Sequence, residues 1–127
     1  MRRFVFLFAV LVAASFGVSA SAAPHGWSVV LNESDPVAGS QVSFAVSYRG
    51  LPYAGAVVRL RCSQAGVVVL NDRRQVGFDG LPPIEPAPLF TLAFAGAASC
   101  VAELGYYATP GGRFAVKAST SFGVAAP

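Results

Sequence analysis

Apolar and polar residues alternate with a period of two in short runs along most of the chain, and no long stretch carries helical spacing. Gly, Pro, Asn and Asp bound these runs, which predicts strands separated by turns and an all-β fold. Trp27, Val29 and Leu31 alternate in a first strand, and the turn formers from Asn32 to Pro36 end it. In a second, Val42, Phe44, Val46 and Tyr48 share one face, while Gln41, Ser43, Ala45 and Ser47 share the other. A turn over Arg49–Pro52 leads to a third, with Ala56, Val58, Leu60 and Cys62 set against Val57, Arg59, Arg61 and Ser63. Cys62 thus points with the core.

The hairpin at Gln64, Ala65 and Gly66 leads into Val67–Leu70, which has no alternation. Two readings stay open there: a strand covered on both faces, or an exposed edge that awaits a partner. From Asp72 to Pro88 four prolines and two glycines interrupt any period, which predicts a long loop with little regular structure. A further strand is expected over Leu89–Ala95, with Phe90, Leu92 and Phe94 inward. Cys100, Ala102, Leu104 and Tyr106 then face the core, opposite Val101, Glu103, Gly105 and Tyr107. After a turn at Thr109–Gly112, the last and longest strand places Phe114, Val116, Ala118, Thr120, Phe122 and Val124 on one face.

The N-terminus breaks this pattern. Arg2 and Arg3 precede an apolar run from Phe4 to Ala14, and Ala20, Ser21 and Ala22 form an A-x-A cleavage signature, so residues 1–22 are predicted to be an export signal. The run is about half of the roughly 20 residues that a bilayer span needs, so no stable membrane anchor is expected after cleavage. The remaining domain, residues 23–127, suits a single core. Two of the nine basic residues leave with the signal, so the formal charge falls from +3 to +1, seven basic against six acidic. No basic stripe remains, which argues against nucleic-acid binding. The compartment reached is extracellular or periplasmic and oxidising, where the chain's two cysteines, Cys62 and Cys100, are expected to be joined.

Seven short strands in about 100 residues, with turns every 8–12 residues or so, meet the requirement of an immunoglobulin-like Greek-key β-sandwich. The stretch Pro36–Val46 resembles the opening strands of secreted bacterial immunoglobulin-like domains, and Ala118–Val124 resembles their last. Cys62 together with Ala98–Tyr107 is similar to small proteins encoded by mycobacteria and their phages. The resemblance implies a fold and a role in adhesion or binding, not an activity. Antibody-type domains join their second and sixth strands around a Trp, whereas here Cys62 falls on the third and Cys100 on the sixth. In a seven-strand sandwich those two are neighbours within one sheet, so the expected bridge is cross-strand and needs Cα atoms within roughly 7 Å.

Chemistry is sparse. Catalysis by a histidine-activated nucleophile needs a rigidly held imidazole, but the one histidine, His25, lies beside the predicted new terminus. Copper capture there by amine, amides and imidazole is blocked by Pro24, which has no amide proton to release. Glu33 and Asp35 share a turn, which explains them without a calcium site. The other carboxylates are scattered, as a glycosidase pair is not. No catalytic residue, metal or cofactor is therefore expected.

Two stretches are candidates for binding. One is the 72–88 loop, whose prolines reduce the cost of presenting Arg73, Arg74, Phe78, Asp79 and Ile84 to a partner; an inter-sheet crossover, with Phe78, Leu81 and Ile84 capping the core, is the plainer account. The other is the outer sheet face with Arg59, Arg61, Val101, Glu103, Tyr107 and Lys117, where a solvated surface with an Arg59 or Arg61 pair to Glu103 explains the same residues. Three roles follow as expectations. The first is a secreted, non-enzymatic module that binds a protein or glycan. The second is an envelope protein that self-associates through Val67–Leu70, and the third is a carrier of a small apolar ligand.

Overall fold

The computed structural model describes residues 19–20, 26–49, 55–78, 81, 83–84 and 87–127. Most of the expected export signal, His25, all of the 49–52 turn after Arg49, Asp79, Gly80, Pro82, Glu85 and Pro86 lie outside the described residues. The chain is an all-β sandwich of two antiparallel sheets. Its strands are β1 (Ser19–Ala20), β2 (Ser28–Leu31), β3 (Gln41–Ser47), β4 (Ala56–Gln64), β5 (Val67–Gly77), β6 (Leu89–Thr91), β7 (Ala98–Tyr107) and β8 (Phe114–Val124). One sheet has the order β1-β8-β7-β4-β5 and the other β2-β3-β6. The connections β3 to β4, β5 to β6 and β6 to β7 all pass from one sheet to the other, which is the Greek-key winding of an immunoglobulin-like domain.

The period-two pattern becomes the core. Val29, Leu31, Val42 and Phe44 from the smaller sheet meet Val58, Leu60, Ala102 and Leu104 from the larger. Phe44 anchors the middle, with ring centroids 5.7 Å from Phe90 and 5.9 Å from Phe122. Trp27 closes one end against Tyr48 and Tyr106, at 6.3 and 6.1 Å. Cys62 and Cys100 are register partners on β4 and β7, buried and bonded, with their Cα atoms 4.0 Å apart. The cross-strand staple expected from the strand count is therefore present. At the sandwich edge Glu33 accepts from both the Ser43 amide (2.8 Å) and the Ser43 hydroxyl (3.0 Å), so its carboxylate serves the turn.

Three expectations are corrected. Residues 72–77 are not loop: β5 continues to Gly77, paired with β4 as far as Ala56. The polar residues hid this strand. β5 is the outermost strand of the larger sheet, and its residues 71–74 are exposed and tolerate charge, whereas Val76 is buried in the core. The crossover that follows does not cap the core as expected either, since Leu81 is 63% and Ile84 55% exposed. Second, β6 ends at Thr91, although Leu92 still exchanges backbone hydrogen bonds with Gly39 and Ser40. Third, the β7–β8 ladder shifts register between Leu104 and Gly105, which pair with Ala118 and Val116. Lys117 is the extra residue. This bulge reverses the facing of everything before it on β8, so Phe114 and Val116 leave the core face they were expected to share with Ala118.

Val67–Leu70 is the start of an edge strand, as one of its two readings held, with Val67 64% and Val68 55% exposed. Two register shifts, at Cys62/Ser63 and Ala56/Val57, leave Val69 and Val76 as bulged residues on β5. Such bulges, with Asp72, Arg73 and Arg74 between them, blunt an edge against pairing with another strand. At the opposite edge β1 pairs with Thr120 and Ser121 of β8, and Val37 makes a parallel bridge to Ala125.

Candidate binding face

The outer face of the five-stranded sheet collects most of the singled-out residues. Antiparallel register sets Arg59 of β4 between Arg73 of β5 and Glu103 of β7, and sets Tyr107 of β7 opposite Phe114 of β8. Arg59 Nη2 donates to Glu103 Oε1 at 2.7 Å, and Arg61 Nη2 reaches the same oxygen at 3.5 Å. The expected pairing with Glu103 thus involves both arginines. Arg59 also lies over the Phe114 ring, 4.1 Å from its centroid, a contact available only because the β8 bulge turned Phe114 outward. Its Nε is buried without an acceptor among the described residues. Phe114 packs edge-on against Tyr107 at 4.9 Å and 62°, and Arg73 Nη1 donates to the Tyr107 hydroxyl at 3.3 Å.

Electrostatics tie these groups together. Partial burial works against the Arg59 charge, but hydrogen bonds and attraction from Glu103 and Tyr107 outweigh it and hold the guanidinium above its ordinary value. Partial burial likewise works to raise the Tyr107 phenol, but Arg73 and Arg59 outweigh that and hold it below its ordinary value of 10.0. Among the described residues both ion pairs end on Glu103. Arg73 therefore has a neutral phenol where Arg59 has a carboxylate, and it stands directly opposite Arg59, an arrangement that costs stability in a sheet.

Tyr107 and Arg73 form the wall between two shallow grooves. The first, about 440 Å³, is lined by Val57, Arg73, Gln75, Tyr107, Pro110 and Gly111. The second, about 350 Å³, is lined by Arg59, Asn71, Asp72, Arg73 and Tyr107. The first contains a cation and no carboxylate, and the second adds Asp72.

The loop candidate does not survive as a unit. Arg73 and Arg74 are successive strand residues and point to opposite faces: Arg74, opposite Val58, lies over the Phe90 ring at 5.8 Å. Phe78 is half-buried and Ile84 exposed, while Asp79 lies outside the described residues. Of that group only Arg73 joins Arg59, Arg61 and Tyr107. Lys117 leaves the outer face for the Tyr106 ring, at 5.7 Å, because it is the bulged residue. Val101 keeps its place as the register partner of Arg61. Phe114 and Asn71 were missed: the first was assigned to the core by alternation, the second fell among polar residues between the expected strand and loop.

Among the described residues no three metal-ligating side chains cluster, and no helix is long and apolar enough to cross a membrane. The disulfide is the chemistry of a non-cytoplasmic compartment. Comparison of the chain with family models, curated proteins and solved structures gave no match.

Proposed function

We propose that this chain is an exported, non-enzymatic immunoglobulin-like module, of the kind encoded by mycobacteria and their phages, that binds a protein or glycan outside the cytoplasm. Its contact surface is the outer face of the five-stranded sheet, centred on Arg73 and Tyr107. The observation that carries this reading is the arginine pair set directly opposite across β4 and β5 beside a single ion-paired carboxylate, with an aromatic wall between two grooves. A merely solvated face needs neither the opposed like charges nor the wall. Tyr and Arg are also the side chains most often found at interface hot spots. Self-association through the Val67–Leu70 edge finds less support, because the bulges and charges of β5 oppose strand addition.

Capture of partners from envelope and host fractions tests the proposal, with residues 23–127 as bait beside an Arg73→Ala/Tyr107→Ala variant and an Arg74→Ala control. The wild type and the control are expected to recover the same partners and the double variant to lose them. Equal recovery by all three would remove this face as the site.

A further inference from the structure

We infer that the two grooves flanking Tyr107 form a saccharide site, and that the sugar it takes bears a carboxylate held by Arg73. The inference rests on the contact surface proposed above and names its ligand class. The two grooves share one wall yet differ in charge. No carboxylate lines the first, and the Arg73 side chain makes no ion pair among the described residues, Asp72 being bonded to the Arg73 amide at 2.8 Å, so an anionic substituent there gains a charge-assisted hydrogen bond. Arg59, Asn71, Asp72 and Arg73 border the second, where Arg59 is already paired with Glu103 and Asp72 offsets Arg73. A second anion therefore gains less there than in the first, while carboxylate and amide groups suit the paired hydroxyls of a neutral sugar. An acidic residue followed by a neutral one is the repeat of an alternating uronate polysaccharide.

Tyr107 gives the wall its rigidity. Its ring is held by Phe114, which is itself covered by Arg59, and by the Arg73 guanidinium 5.6 Å from its centroid, so a sugar in either groove meets side chains already ordered. Each groove falls within the roughly 300–1,000 Å³ of small-ligand clefts. An acidic peptide meets a poorer fit. An extended peptide gains most of its affinity by adding as a strand, and the edge nearest Arg73 is broken by bulged Val69 and Val76, with the Val76 carbonyl already taken by the Ile84 amide at 3.0 Å. A sugar chain makes no such demand on the backbone.

The test is a nuclear magnetic resonance titration of the 23–127 chain with three probes. These are an octasaccharide of alternating glucuronate and N-acetylglucosamine, the same octasaccharide with its carboxyls reduced to alcohols, and hexaglutamate. The acidic octasaccharide is expected to shift resonances of Arg73 and Tyr107 and to bind about tenfold more tightly than the reduced one. Arg73→Gln should erase that difference. Arg74→Gln, which removes the same charge from the opposite face, should leave it intact. The Tyr107 phenol should titrate at higher pH with the acidic probe bound, because a neighbouring anion disfavours phenolate. Equal affinity for acidic and reduced probes, or equal loss in both glutamine variants, would overturn the carboxylate assignment. Tight hexaglutamate binding would replace the sugar by a peptide. If no octasaccharide binds while Arg73→Ala/Tyr107→Ala still loses its captured partner, the ligand class falls and the contact surface stands.

Discussion

Gly105 shows how a single side chain can be excluded by geometry alone. It sits at the β7–β8 register shift, and a Cβ there would fall on the Ala115 carbonyl oxygen. Gly105→Ala must therefore displace the bulge or the strand, and a loss of about 1–3 kcal/mol is expected in equilibrium urea unfolding. Ala65 presents the reverse case. It holds φ 50° in the two-residue hairpin with Gly66, a left-handed conformation that Asn adopts more readily than Ala. Ala65→Asn is expected to stabilise by roughly 0.5–1 kcal/mol in the same measurement. Tyr107 titrates under the influence of two guanidinium groups, so its phenol should lose its proton below 10.0 in a 295 nm absorbance titration. Arg73→Gln should move that midpoint upward. Between the folded midpoint and the unfolded value near 10 the folded state binds fewer protons, so the contribution of this tyrosine to stability grows as pH rises and is lost as pH falls through the folded midpoint. Glycine at 105 and arginine at 73 are visible in the chain as letters. Their roles depend on Ala115 and Tyr107, which are distant in sequence or assigned to another strand.

At the scale of the element, strands with one fully buried face were legible and the exposed middle of β5 was not. β2, β3, β4 and β7 alternate because each has the opposite sheet beneath one face, whether it lies between two neighbours as β3, β4 and β7 do or at an edge as β2 does. The middle of β5 has charges at Asp72, Arg73 and Arg74, since it is the outermost strand of its sheet and those residues are exposed, although Val76 further on is buried in the core. Hydrophobic alternation has no reason to persist there. The β8 bulge was hidden for a related reason: Phe114 is apolar on whichever face it falls, so the alternation continues unbroken through Lys117 while the geometry does not. The β4–β7 ladder supplies the prediction for this scale. Its disulfide closes a sequence separation of 38 residues, and on the chain-entropy account removal of the crosslink should cost about 3–4 kcal/mol. Comparison of oxidised protein with Cys62→Ala/Cys100→Ala by urea unfolding measures it; a loss under about 1 kcal/mol would mean that the bridge adds little to a ladder already in register.

For the molecule as a whole, the edges of the larger sheet are its exposed backbone. β5 is blunted by its own bulges and charges. The β8 edge is covered at Ala125 by Val37 and at Thr120–Ser121 by β1, which lies inside the segment read as an export signal. Removal of residues 1–22 takes β1 away and uncovers that stretch of backbone, while β7 continues to hold the other side of β8. The amides of Thr120 and Ser121 point to opposite sides of β8; the one on the β1 side is expected to exchange faster in the 23–127 chain than in the full chain, with the one held by β7, and Cys100 and Ala102 on β7, unchanged. Unchanged exchange across β8 would show that β1 contributes no protection.

Strand period, turn chemistry and the face of each cysteine are properties of neighbours along the backbone. The all-β class, the sandwich and the Cys62–Cys100 staple were accordingly readable from order alone. Which strand is left at a sheet edge, where a register slips by one residue and which arginines share Glu103 are properties of packing between segments dozens of residues apart. Arg59, Arg73, Tyr107 and Phe114 acquire a common surface only when β4, β5, β7 and β8 lie side by side, because side-chain direction depends on register and register is settled by the whole sheet.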